Sequence, residues 1–95
     1  MKDNEFSIGD AISSYLQEIG IRDRLKVEAV IEQWSRIMGQ AIAANTSKLW
    51  YKDGVLHVQM SNPTWRMELG MAKSKIKEVL NREMGQDIIQ EVRIL

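Results

Sequence analysis

Ser47-Lys48-Leu49-Trp50-Tyr51-Lys52-Asp53-Gly54-Val55-Leu56-His57-Val58-Gln59-Met60 is the stretch on which the fold turns. Apolar and polar residues alternate on both sides of Asp53-Gly54, and β-branched and aromatic side chains are frequent, as in a half-buried pair of strands. Asp-Gly between two such runs signals a two-residue hairpin loop, with the glycine supplying positive φ. That loop pairs Tyr51 with Leu56, Leu49 with Val58 and Ser47 with Met60 on one core-facing side. Lys48, Trp50, Lys52, His57 and Gln59 then share the other side. A three-residue loop would set Leu49 opposite His57 and mix the two faces.

Toward the N-terminus, Ile8, Ala11, Ile12, Tyr15, Leu16 and Ile19 recur at helical spacing. Ser7 is the expected N-cap, and Gly20 the expected left-handed residue that closes this first helix. A second helix is predicted over about 22–38. Its apolar side holds Val27, Val30, Ile31, Trp34, Ile37 and Met38, with Lys26, Glu28, Glu32, Gln33 and Arg36 opposite. Gly39 breaks it, and residues 40–44 add a short helical piece that Asn45-Thr46 stops.

Toward the C-terminus, Asn62 can cap a third helix with Pro63 in its first position. Its stripe is Trp65, Leu69, Ala72, Ile76, Val79 and Leu80, and it runs to about Met84, where Gly85 closes it. Gly70 inside it costs roughly 1 kcal/mol relative to alanine, so a kink or a close backbone contact is expected there. Residues 88–95, with Val92-Arg93-Ile94 alternating, read as a third strand. The order α-α-β-β-α-β predicts a single α+β domain over residues 1–95, with its core at about 7–95. Hairpin, crossover helix and last strand form a three-stranded sheet with helices on one side, the last strand lying beside either the first or the second.

A chain of 95 residues buries only about 60–65% of the surface its unfolded form exposes, so any function sits on one small core. Its 44% hydrophobic and 27% charged residues are ordinary for a globular domain. Thirteen basic residues cancel thirteen acidic ones, so only local patches can attract nucleic acid or anionic lipid. The lack of cysteine excludes disulfides, thiolate zinc sites, iron–sulfur clusters and cysteine nucleophiles. One histidine and no close acidic cluster leave little for acid–base or metal chemistry, and a non-enzymatic binding module without metal or cofactor is expected. The start Met1-Lys2-Asp3-Asn4-Glu5-Phe6 lacks a signal-peptide run, and no apolar stretch approaches the roughly eighteen residues of a membrane span. A cytoplasmic location is the default expectation.

Several stretches also carry a family pattern: Ile8-Gly9-Asp10-Ala11-Ile12, and Trp34-Ser35-Arg36-Ile37-Met38-Gly39 leading through Ala41-Ile42-Ala43 to Thr46. It continues in Asp53-Gly54-Val55-Leu56-His57-Val58, Trp65-Arg66-Met67-Glu68-Leu69, Leu80-Asn81, Gly85 and Val92-Arg93-Ile94. Over nearly the whole chain, these residues resemble the DciA-type family of bacterial replicative-helicase loaders. The resemblance implies a K-homology-like fold, a role in bringing the ring helicase to DNA at replication initiation, and contacts with both helicase and DNA. No pair of glycines here has the G-x-x-G spacing that clamps a nucleic-acid backbone in K-homology domains. Longer relatives extend past this domain with a basic tail, so helicase loading by this stretch is expected to be partial or shared.

Residues 48–77 hold six basic residues, Lys48, Lys52, Arg66, Lys73, Lys75 and Lys77, against Asp53 and Glu68. Projected on a straight helix, Arg66, Lys73 and Lys77 share one flank, and Lys75 and Arg82 the other. The hairpin's polar side and one flank are expected to contact phosphates, with Lys48, Trp50, Lys52, Arg66, Lys73 and Lys77 as the candidate residues. Trp50 between two lysines resembles a platform for stacking bases, unless a neighbouring element covers it. The charge pattern does not separate DNA from RNA, and zero net charge also suits a purely protein-binding domain. Trp34 and Trp65 read as core residues, and His57 as a surface or cross-strand residue. Met67 and Met71 either pack under the N-terminal helices or face a partner, the helicase or a second copy of the chain in a homodimer.

Overall fold

The computed structural model describes residues 8–95, and side chains from residue 17 onward apart from that of residue 19. The hairpin forms as its alternation predicts. β1 (Thr46–Lys52) and β2 (Val55–Met60) pair antiparallel, Tyr51 opposite Leu56 and Leu49 opposite Val58. Asp53 and Gly54 occupy the two left-handed positions of the turn, at φ 50° and 83°. The third pair departs from expectation: Met60 lies opposite Thr46 rather than Ser47, because a bulge falls between Thr46 and Lys48. Thr46 is anchored by tertiary bonds, its hydroxyl donating to Ile42 O at 2.7 Å and accepting the Trp34 indole N–H at 3.0 Å. The displaced Ser47 hydroxyl donates to Gln59 O at 3.1 Å.

Gly20 does not end a helix. α1 (Ile8–Glu32) runs through it for 25 residues and stops at Gln33. Gly20 itself is not left-handed, and Glu18–Arg22 and Arg24–Glu28 pairs at 3.3 and 3.7 Å support the helix around it. The expected Ser7 cap, and the side chains of the first apolar stripe, Ile8, Ala11, Ile12, Tyr15, Leu16 and Ile19, lie outside the described residues. The stripe predicted for 22–38 is divided between α1 and α2 (Trp34–Met38), and its Val27, Val30 and Trp34 are buried. Gly39, at φ 94°, separates α2 from α3 (Gln40–Ala44), the short piece expected there.

Asn62 caps the next helix, its side-chain oxygen accepting from Thr64 N at 2.8 Å and Trp65 N at 3.3 Å, with Pro63 in the first turn. The predicted single helix is two, α4 (Pro63–Met71) and α5 (Lys73–Met84). The break is at Ala72 (φ −111°, ψ 16°), not at Gly70, where an added Cβ would meet nothing within 4 Å. The change of direction lets α4 rest on β2 and β3 while α5 packs against β3 and α1. Gly85 ends α5 in the left-handed conformation.

The crossover returns the chain as β3 (Glu91–Ile94), parallel to β2, so the sheet order is β1-β2-β3. This strand is shorter than the expected 88–95. Ile88 and Ile89 are buried outside it, and the buried Asn81 side chain substitutes for a neighbouring strand. Its amide donates to Ile89 O at 2.9 Å and its oxygen accepts Ile89 N–H at 2.8 Å.

One α+β unit results, in which the described residues form five helices and a mixed three-stranded sheet with the core on one face of that sheet. Val27, Val30 and Trp34 meet Leu56, Val58, Met60 and Val92 from the sheet and Leu69, Ile76 and Leu80 from the crossover. Burying each large aliphatic side chain contributes about 1.5–3 kcal/mol. Trp65 packs against this core half-buried, which gives Trp34 and Trp65 the structural role expected of them. The other side of the sheet carries no part of this core.

Candidate nucleic-acid interface

Register fixes what the side away from the core presents. Trp50, His57 and Arg93 stand in one row across the three strands, and Lys52, Val55 and Glu91 in the next. Lys48 and Gln59 face each other beyond Trp50 and His57. The indole of Trp50 and the imidazole of His57 stack with centroids 4.7 Å apart and planes 2° from parallel. Lys48 Nζ lies 4.8 Å from the indole centroid, within cation–π range. Trp50 is half-buried, and α1 comes near its edge of the sheet, where Asp23, Arg24 and Glu28 line clefts together with Trp50 and Tyr51.

The charges on this face are mostly basic. Lys48 and Lys52 are exposed, and no ion pair among the described residues includes either one. Arg93 Nε donates to Glu91 Oε2 at 2.9 Å, and both side chains are more than half exposed. That hydrogen bond, then the Arg93 charge and more distantly Lys73 and His57, hold the Glu91 carboxyl below its ordinary range. On the core side, burial pushes the Tyr51 hydroxyl up, and Asp23 and Asp53 add to the shift.

The cations of α4 and α5 divide into three groups. Lys73 and Lys77 border Gln90, Glu91 and Val92 at the β3 edge, and Lys77 Nζ reaches Gln90 O at 3.5 Å. Lys75 and Arg82 lie on the other flank and share Glu78, at 3.1 and 3.2 Å. The Lys75 hydrogen bond leads the effects that lower the Glu78 pKa. Arg66 is exposed on α4, on the other side of the Ala72 break from Lys73 and Lys77. The straight helix on which these three were projected is interrupted between Arg66 and the α5 pair, and only Lys73 and Lys77 line one cleft together.

Met67 and Met71 are 60% and 73% exposed, so they do not pack beneath the N-terminal helices. Arg93 was absent from the candidate set, although its place between Val92 and Ile94 marks it as facing away from the core. Asn81 was also missed; the signal is a polar residue immediately after Leu80 on the apolar stripe. No helix among the described residues is long and apolar enough to cross a membrane.

Comparisons with known proteins match the sequence to a family. The family model described as "Dna[CI] antecedent, DciA" matches residues 7–94. A UPF0232 protein of Rhodococcus jostii (strain RHA1) is 23% identical over 86 residues, covering 90% of this chain and 46% of that protein. A UPF0232 protein of Mycobacterium tuberculosis (strain ATCC 25618 / H37Rv) is 24% identical over 87 residues, 92% of this chain and 46% of its own length. One from Bifidobacterium longum (strain NCC 2705) is 24% identical over 70 residues, 74% of this chain and 45% of its own. The chain thus spans somewhat under half the length of these relatives. No solved structure matches it. With the family pattern running from the first helix to the last strand, the chain belongs to the DciA family.

Proposed function

We propose that this chain is a non-enzymatic accessory domain of DNA replication, of the helicase-loader type, that associates with the replicative helicase and binds DNA weakly. The family match over residues 7–94 carries the loader reading. The DNA contact is assigned to Lys48, Trp50, Lys52, Arg66, Lys73 and Lys77, and the outer sheet face bearing the first three supports it. Lysines there neutralise phosphates while the indole offers a π surface, a combination that binds single strands with little sequence preference. Exposed Met67 and Met71 are the proposed contact for the protein partner, because flexible thioethers adapt to a partner's surface.

Mixing the purified chain with the replicative helicase of its own organism tests this directly. Co-migration in size-exclusion chromatography is the expected result, and separate elution removes the loader reading. Fluorescence anisotropy with a single-stranded oligonucleotide should show binding that weakens with salt, by a slope of about −0.7 per phosphate contact. Zero net charge favours a second reading, a purely protein-binding domain, for which neither DNA nor RNA binds at low salt. Competition by matched RNA reports whether the face distinguishes the two polymers.

A further inference from the structure

The row Trp50–His57–Arg93 suggests more than a lysine-flanked tryptophan. Neighbouring strands lie about 4.8 Å apart, and the first two rings of the row are stacked at nearly that spacing, 4.7 Å. A third flat group continuing the row would sit above β3, over Arg93, which pairs in register with His57. No ring stands there, and the guanidinium is directed along the strand to Glu91 by the 2.9 Å hydrogen bond.

We propose that the outer sheet face seats an unpaired nucleobase of a single-stranded nucleic acid as the third ring beside the Trp50–His57 pair, with Arg93 taking the adjoining phosphate and Glu91 opposing it. Charge complementarity selects this occupant. Lys48, Lys52 and Arg93 surround the stacked rings, and Lys73 lies near Glu91, the acidic residue of the rows. The two rings are already stacked, so little side-chain freedom is lost when a base joins them. The Arg93–Glu91 pair is exposed and therefore weak, so a phosphate can replace the carboxylate. Glu91 acts as a brake, keeping the site weak for any anion that brings no base to stack. The inference rests on the proposed nucleic-acid binding and adds to it the base, its seat, and two residues, His57 and Arg93.

The test is fluorescence anisotropy at low salt with a labelled twelve-residue oligothymidylate and an abasic oligomer of the same length. His57→Ala should weaken oligothymidylate binding about tenfold, and Trp50→Ala less, since the base stacks on His57 and Trp50 supports that ring from behind; both should leave the abasic oligomer nearly unchanged. Trp50→Phe should retain most of the affinity, which controls for damage to the fold. Arg93→Gln should weaken both oligomers and reduce the salt slope by about 0.7. Glu91→Gln should tighten both, by about twofold to fivefold, by removing a negative charge and freeing Arg93. If Lys48→Gln and Lys52→Gln weaken binding but Trp50→Ala, His57→Ala and Glu91→Gln do not change it, the base seat is wrong and the lysine-based reading stands. No binding of either oligomer removes both.

Discussion

Along β2, Leu56, Val58 and Met60 are no more than 2% exposed, while the alternating Val55, His57 and Gln59 point to the side away from the core. The inner residues belong to the single apolar cluster of the domain, and the outer ones do not. A single six-residue strand therefore divides its work residue by residue. Stability depends on the even positions and surface chemistry on the odd ones. The same division continues into β3, where Val92 faces in and Arg93 faces out.

The division can be broken from either side. Leu56→Ala should cost about 2–5 kcal/mol in urea unfolding, because it opens a cavity at a position 1% exposed; a loss below about 1 kcal/mol would show that the inner face is not one packed core. Asn81→Ala should come next, at about 1–3 kcal/mol, since it strands the buried amide and carbonyl of Ile89. Because β3 contributes to both faces, that variant should also loosen Arg93, visible as faster amide exchange at residues 91–94. Trp50→Ala should change stability by less than about 1 kcal/mol, while it weakens oligonucleotide binding. A larger loss of stability means the outer row helps hold the sheet together. Smallest in its effect on folding is Gln59→Lys, expected within about 0.5 kcal/mol of the parent, yet it should steepen the salt dependence of binding by about 0.7.

How much of this was legible depended on whether the deciding contacts were local. Asp53-Gly54 and the alternation around it determine the hairpin register, because turn chemistry and the two-residue period act over neighbouring residues. The bulge at Ser47 was not legible, since it follows from Thr46 bonding to Ile42 and Trp34, which are brought to it by folding. Gly39 and Gly85 interrupt helices at positive φ, whereas Gly20 sits inside one. Composition alone does not separate them, because a glycine permits a left-handed turn without requiring it. Lys48, Trp50 and Lys52 share a face by period alone, so that part of the candidate site could be read directly. Joining Arg93 to it required knowing that β3 lies beside β2, parallel and in a specific register, which is a tertiary fact. Arg66 was grouped with Lys73 and Lys77 by assuming a straight helix that Ala72 interrupts.

Lys73 and Lys77 have a consequence independent of any ligand. They border β3 at the rim of an open sheet, where an unpaired strand would otherwise offer its amides and carbonyls to another molecule. An ammonium near that rim must be desolvated before a second sheet can join it, and Lys77 already reaches the carbonyl of Gln90, just ahead of the strand, at 3.5 Å. Exchanging both for neutral residues should therefore lower the concentration at which the domain self-associates, as light scattering would show.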